Sequence, residues 1–380
     1  MTGVKVIQHF MKWMETAKVA ERAAAAVALA HAYLDGKLAF EERYAAEAAM
    51  TALLDDPSSK VRAALAEAVS MSRHAPVQVV AALAADQPDV AGPVLARSPV
   101  LSDTDLIECI SEGREASQCL IAGRPRVSMG VAAAIAEVGA LEACLVLADN
   151  SGADIASLSF RRLIERFGSD ARLREALFAD PRLPSDCRHK LLVHLGEALR
   201  DAPFVKALVG QVRAEKLTRE ACVRASLTLI DSVEQNEYEA LVEHLRLSGE
   251  LSTGFVIRLV AHGKIDFFGT VLVALAGQPE ARVRALLSNG RDVAISALLQ
   301  KAGLARETHT PVLRALDLWR DVACGKRIAG PQEVSWLMLS AIGGTDPQPE
   351  SAELAGLLRT IHLEVLRENA RIQAQAIAAA

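Results

Sequence analysis

The chain has 380 residues, 51% of them hydrophobic but only 4% aromatic, with a net charge of −5 and a pI near 6.0. That length exceeds what one hydrophobic core usually holds, so it implies two domains or one elongated array. The acidic balance disfavours a protein that grips nucleic acid by its phosphates, the Ala- and Leu-rich, aromatic-poor composition disfavours a β fold, and no apolar run reaches the roughly 18 residues of a membrane span.

Residues 1–54 read as an N-terminal helical cap, with helices over 3–19, 21–34 and 41–54. The apolar residues Val6, Ile7, Phe10, Met11 and Trp13 are interrupted by Lys5, His9 and Lys12, and no small-residue cleavage site follows, so no secretory leader is expected. Asp35-Gly36-Lys37 stops the second helix, and Glu41 and Glu42 favour the start of the third. The longest apolar run, Ala23 to Leu34, reads as a buried helix.

From Asp55 a helix-pair unit of about 27 residues recurs to about residue 200. One mark is Pro-x-(Val/Leu)-(Ser/Pro), found at Pro99-Val100-Leu101-Ser102, Pro125-Arg126-Val127-Ser128 and Pro181-Arg182-Leu183-Pro184. Gly152-Ala153-Asp154-Ile155 is a degenerate copy. The other mark is a turn followed by a small apolar residue, at Val61, Val90, Ala116, Ala143 and Ala171. Turns such as Asp86-Gln87-Pro88-Asp89 and Glu112-Gly113 open one helix of each pair. The Pro turn opens the other, with Ser102 and Ser128 placed to cap its free N–H groups and Pro76 in the first helical position. Val61, Leu65 and Val69 share one helical face, as do Leu106, Ile107 and Ile110. Helices this short need neighbours, so the repeat predicts an all-α, right-handed HEAT-like α-solenoid.

Longer helices are predicted over 153–167, 184–199, 218–231 and 234–247, with a turn at Pro203-Phe204. Residues 201–342 read as a continued, degenerate repeat region, where Gln278-Pro279-Glu280-Ala281-Arg282-Val283 echoes Gln87-Pro88-Asp89-Val90. Helices near 306–324 and 331–341 precede a linker, Gly343 to Pro349. The segment 350–380 then forms a helix, about 350–375, whose stripe Leu354, Leu358, Ile361 and Val365 either caps the array or pairs two copies as a homodimer.

Residues 55–200 resemble a bacterial family known as DUF2336. The resemblance is carried by Leu54-Asp55-Asp56-Pro57-Ser58-Ser59-Lys60-Val61-Arg62-Ala63-Ala64-Leu65-Ala66-Glu67-Ala68, by Ala84-Ala85-Asp86-Gln87-Pro88-Asp89-Val90-Ala91-Gly92-Pro93-Val94-Leu95 and by Arg97-Ser98-Pro99-Val100-Leu101-Ser102-Asp103. It implies a HEAT-like α-solenoid and brings no catalytic residue with it.

No GxxxxGK[ST], GxGxxG, GxSxG or HExxH motif occurs. Cys187, His189 and His194 form the densest ligand-type cluster, but His189 lies about 200° around the helix from Cys187, so three ligands do not converge from it. No cofactor or metal site is expected. Six scattered Cys without a CxxC pair read as reduced, buried thiols of a cytoplasmic protein.

Two sets of arginines are candidate partner-binding residues. Arg97, Arg124, Arg126 and Arg182 recur beside the Pro turn and predict a rim ladder suited to carboxylate or phosphate groups, unless each bonds a helix carbonyl or Asp nearby. Arg282, Arg284 and Arg291 open a basic stretch, 281–330, holding nine Lys/Arg against four Asp/Glu. Only Trp319 interleaves there, too few aromatics for a nucleic-acid stacking platform. The leading expectation is a scaffold or regulator that binds a protein or peptide along the solenoid groove, with nucleic acid and membrane disfavoured. The alternatives are an enzyme on a HEAT-like frame, of lyase or glycosylase type, and a nucleic-acid or phosphate module using the basic stretch.

Overall fold

Helices of eight to eleven residues are marginal alone in water and must be held by their neighbours. The computed structural model, which describes residues 9–10, 12–14, 16–112, 114–342 and 349–379, shows how. The chain divides into two compact units, Met1–Cys187 and Arg188–Ala380.

Unit 1 holds α1 (Val19–Leu34), α2 (Phe40–Leu53), α3 (Ser59–Val69), α4 (Val77–Ala84), α5 (Pro88–Arg97), α6 (Asp103–Ser111), α7 (Glu115–Ala122), α8 (Met129–Val138), α9 (Leu141–Asp149), α10 (Ser157–Phe167) and α11 (Ala171–Ala179). The division falls inside α12 (Ser185–Asp201). In one layer, α1 packs on α3, α3 on α5, α5 on α7, α7 on α9 and α9 on α11. In the other, α2 packs on α4, α6 on α8 and α8 on α10. Apart from the step from α4 to α6, these helices lie against their counterparts in the next pair, which is the order of an α-solenoid.

The helix phase explains which residues are buried. Two residues into α3, α5, α7, α9 and α11 stand Val61, Val90, Ser117, Ala143 and Leu173, all buried. Ala116 and Ala171, the small apolar residues of the sequence mark, are exposed, because position within the helix and not residue type sets the facing side. Ser102 accepts the Asp105 N–H at 3.3 Å while the Asp105 carboxylate accepts the Ser102 N–H at 2.8 Å, a complete capping box. Ser128 likewise accepts from Val131 N at 3.3 Å. Pro76 sits one place earlier than expected, at the N-cap, and Val77 is the first helical residue.

Two successive turns also touch through backbone. Val127 N donates to Gly152 O at 3.2 Å and Asp154 N to Val127 O at 2.9 Å, an isolated parallel bridge. A Cβ on Gly152 would overlap Pro125 O, so only glycine allows this approach. Among the described residues no strand forms.

Unit 2 contains α13 (Pro203–Val209), α14 (Gln211–Ser232), α15 (Tyr238–Leu247), α16 (Thr253–Ala261), α17 (Ile265–Ala276), α18 (Glu280–Asn289), α19 (Asp292–Lys301), α20 (His309–Ala323), α21 (Pro331–Ser340) and α22 (Pro349–Ala379). The turn expected at Pro203-Phe204 is instead a helix start, where the missing proline N–H is harmless. The chain reverses at Gly210, whose φ of 75° only glycine adopts readily, and α14 begins well before residue 218. Pairs still stack here, α15 on α17 and α17 on α19, but α16 also packs against α20, α21 and α22. Its Phe255, Val256, Ile257, Leu259, Val260 and Ala261 are all buried, the signature of a helix enclosed by others.

The stripe Leu354, Leu358, Ile361 and Val365 is buried within the chain, where α22 lies on α16 and α21. Thr16-Ala17-Lys18 form a turn before α1, which interrupts the helix expected over 3–19. Residues 1–8 of that segment, Gly113 of the Glu112-Gly113 turn, and 343–348 of the linker lie outside the described residues. No described helix is long and apolar enough to cross a membrane.

Candidate functional site

The arginines beside the Pro turns bond backward, to the preceding repeat. Arg97 bonds Ser70 Oγ at 3.1 Å and pairs with Glu67. Arg124 donates to Leu95 O and Ser98 O, both at 2.6 Å. Arg182 donates to Ala153 O and Asn150 O and is clasped by the buried Asp180 at 2.8 Å. Asn150 does the same for its own predecessor, with Nδ2 donating to Ala122 O at 2.7 Å and Arg124 O at 2.8 Å. Helix carboxyl ends leave carbonyls without partners, and Arg124, Asn150 and Arg182 satisfy such groups from the next repeat. Arg97, Arg124 and Arg182 are therefore engaged within the chain, the local alternative to a ligand-facing ladder. Arg126 is exposed and makes no hydrogen bond or ion pair among the described residues.

Burial pulls the Arg124 guanidinium below its ordinary value, with Asp103 working against that shift. Replacing Arg124 by alanine leaves two carbonyl groups short of a charged donor. The expected loss is about 2–3 kcal/mol, read as a shift in urea midpoint at unchanged slope. A midpoint within error of the parent would show that water replaces the guanidinium without cost.

The opposite turns carry a second chain of pairs. Arg22 grips Asp56 with two N–H donors at 2.8 and 3.0 Å, and Arg62 grips Asp86 at 2.6 and 3.0 Å. Arg62 also donates to Asp56 O at 2.6 Å, and Arg114 to Asp86 O at 2.9 Å. The Asp56 carboxyl is 2% exposed. Burial pushes its pKa up, but Arg22 and the Ser58 N–H outweigh that and hold it below the usual carboxylate range. Arg62 does the same for Asp86, against burial. Gln118 adds a buried link, donating to Ile110 O and accepting from Ala140 N, both at 2.8 Å.

In unit 2 the basic stretch is partly neutralised. Arg284 pairs with Glu280 at 2.7 Å, Arg320 with Asp317 at 3.2 Å, Lys326 with Asp321 at 3.8 Å, and Arg327 with Glu333. Arg282 and Arg291 are exposed and unpaired among the described residues. Arg284 lines a cavity. This groove of ≈ 400 Å³ runs between α17, α18 and α20. Its apolar wall includes Ile265, Val273, Leu316 and Trp319, and its polar edge includes Thr270 and Ser288. Trp319 is fixed by donating to Val260 O at 2.8 Å.

A second groove, ≈ 630 Å³, lies between α12, α14 and α16, with Ser226 and Glu250 in its lining. Behind it His189 is buried, with Nε2 at 2.9 Å from Ser226 Oγ and 3.2 Å from Glu250, and Nδ1 at 3.2 Å from His244 Nε2. His189 holds Glu250 below the usual carboxylate range, against burial. His194 instead faces Glu197 at 3.4 Å, and Cys187 is buried. Among the described residues no group of three or more His, Cys, Asp or Glu is arranged to hold a metal ion. His244 and Glu250 were out of reach of sequence reasoning, because they lie 55 and 61 residues from His189.

A family model for uncharacterised proteins conserved in bacteria, DUF2336, matches residues 90–340. The chain belongs to this family. No curated protein and no solved structure matches it. The DUF2336 region starts at Val90 in α5 and ends with α21, so it lies further along the chain than the 55–200 resemblance. It leaves out the Leu54–Ala68 segment and α22. It includes all seven candidate arginines, the ≈ 400 Å³ groove and the His189 cluster.

Proposed function

We propose that this DUF2336 protein is a scaffold or regulator that binds a partner protein through an extended segment laid in the α17–α18–α20 groove. The observation that carries this reading is the groove's construction. An apolar wall with Trp319 faces hydroxyl groups and the Arg284–Glu280 pair, the combination that gives a peptide both buried area and hydrogen-bond direction. Trp319 is held rigid by its bond to Val260 O, so little order is lost on binding. The basic stretch gives weaker support to a nucleic-acid module, since Arg284, Arg320, Lys326 and Arg327 already face carboxylates.

A photo-crosslinking side chain at Ser288, used in cells that express the chain natively, tests the groove. It is expected to trap a discrete partner, and Thr270→Arg, which fills the groove from α17, is expected to cut that product at least about tenfold. A product unchanged by Thr270→Arg, or shared with a probe at the distant Glu239, would reject the groove as the binding site.

A further inference from the structure

Unit 2 leaves apolar surface open at the tip where α13 joins α14. Because Pro203 starts a helix, Phe204 and Leu208 stand one turn apart on the same side of α13. The neighbouring face, Val205 and Val209, is partly buried, and α13 packs on α14. Phe204 is 73% exposed and Leu208 67%, and α13 has no buried residue at all. Beyond the reversal at Gly210, Val212 is 82% exposed. A single exposed aliphatic residue is ordinary, but an aromatic and two aliphatic side chains this open, so close in the chain, mark a contact surface.

The same tip carries cations. On α14, Val212, Lys216 and Arg219 share one face and Arg213 and Leu217 another, so apolar and basic side chains are interleaved over exposed surface. Lys206 meets Asp201 at 3.2 Å and Lys216 meets Glu220 at 4.0 Å. Arg213 and Arg219 are exposed and make no hydrogen bond or ion pair among the described residues. A second copy would bring the same unpaired arginines to the contact, whereas an anionic surface neutralises them. A helix with no buried residue offers a peptide no groove. Its open apolar side suits a fluid layer into which side chains can sink.

We propose that the α13–α14 tip is a docking surface for an anionic phospholipid bilayer. Phe204, Leu208 and Val212 enter the boundary between headgroups and acyl chains. Arg213, Lys216 and Arg219 stay at headgroup level and pair with phosphate oxygens. Each cation near such a surface is expected to raise the partition about fivefold. Neither the apolar nor the charged contribution gives firm attachment alone, so both are needed. The contact is peripheral and reversible, and it weakens as salt rises. It lies away from the α17–α18–α20 groove and does not depend on the peptide reading.

Flotation of the full chain with vesicles tests the surface. At about 0.1 M salt the chain is expected to float with vesicles of phosphatidylcholine containing about 30% phosphatidylglycerol, and at least about tenfold less with phosphatidylcholine alone. Phe204→Ser with Leu208→Ser, and separately Arg213→Glu with Arg219→Glu, should each cut flotation at least about tenfold. No flotation of the parent, or flotation that both variants keep, would overturn the proposal. Loss in the arginine variant alone would show charge attraction without insertion, and rejects it too. A dimer of the parent that the serine variant abolishes, with no flotation, would give the face to a second copy. An acidic protein that co-purifies with the parent but not with either variant, again with no flotation, would give it to a protein. Should the serine variant fail to fold, Phe204→Trp replaces it. Its emission is expected to be quenched by lipids brominated on their acyl chains, and quenching no greater than the parent's rejects insertion.

Discussion

Shortening the chain to end at Ile342 is expected to unfold unit 2. The deletion removes Leu354, Leu358, Ile361 and Val365, which are buried against α16 and α21. Each buried aliphatic side chain contributes about 1.5–3 kcal/mol, so the four together supply about 6–12 kcal/mol. That is comparable to the whole stability of a domain, about 5–15 kcal/mol. The shortened chain should lose exchange protection across Phe255–Ala261 and expose apolar surface, while the unfolding transition of unit 1 persists. The single change Leu358→Ala should cost about 3 kcal/mol by itself. A shortened chain that stays soluble, keeps its α16 protection and turns from dimer to monomer would assign α22 to pairing copies instead.

The second large effect is expected from Arg62. Its guanidinium satisfies Asp86 with two bonds and Asp56 O with a third, so it joins two successive turns. Arg62→Ala leaves a largely buried carboxylate without its cation, at a cost of about 3 kcal/mol at neutral pH. Arg62→Lys should recover only part of this, because a single ammonium cannot match the forked geometry. The pH dependence follows from the same contacts. Asp56 and Asp86 titrate lower in the folded chain than the ordinary value of about 3.9. In that range the unfolded state binds more protons, so stability rises with pH. Their contribution is complete above about pH 4 and drains away as acidity passes through the folded values. Urea midpoints should fall steeply as pH drops below about 4 in the parent and more gently in Arg62→Ala. Parallel slopes would show that other carboxylates govern acid unfolding.

Much of unit 1 was legible because its signals are local. Ser102, Ser128 and the Asp-Pro turns act within a few residues, and a short helix exposes its phase through Val61, Leu65 and Val69. The role of Arg97, Arg124 and Arg182 was half legible. Their recurrence beside each Pro turn was visible, but the groups of the preceding repeat that they bond stand 26 to 32 residues earlier, and the carbonyls held by Arg124 and Arg182 leave no mark in a sequence. Unit 2 was harder. Its helices vary in length, and α16 meets α20, α21 and α22 far along the chain, so no period survives to be read. The Trp319 groove and the His189 cluster arise from such distant contacts. His189 by itself looked like one member of a poor metal cluster.

The backward bonds of unit 1 also bear on the order in which a nascent chain matures. The carboxyl end of α5 has Leu95 O and Ser98 O closed by Arg124, the end of α7 waits for Asn150, and the Asn150 turn waits for Arg182. Each turn is thus finished by a residue that leaves the ribosome later. At about 5–20 residues per second, a spacing of about 27 residues leaves every new end frayed for roughly one to five seconds. Synthesis would then advance an unfinished edge about one helix pair wide, with closed structure behind it.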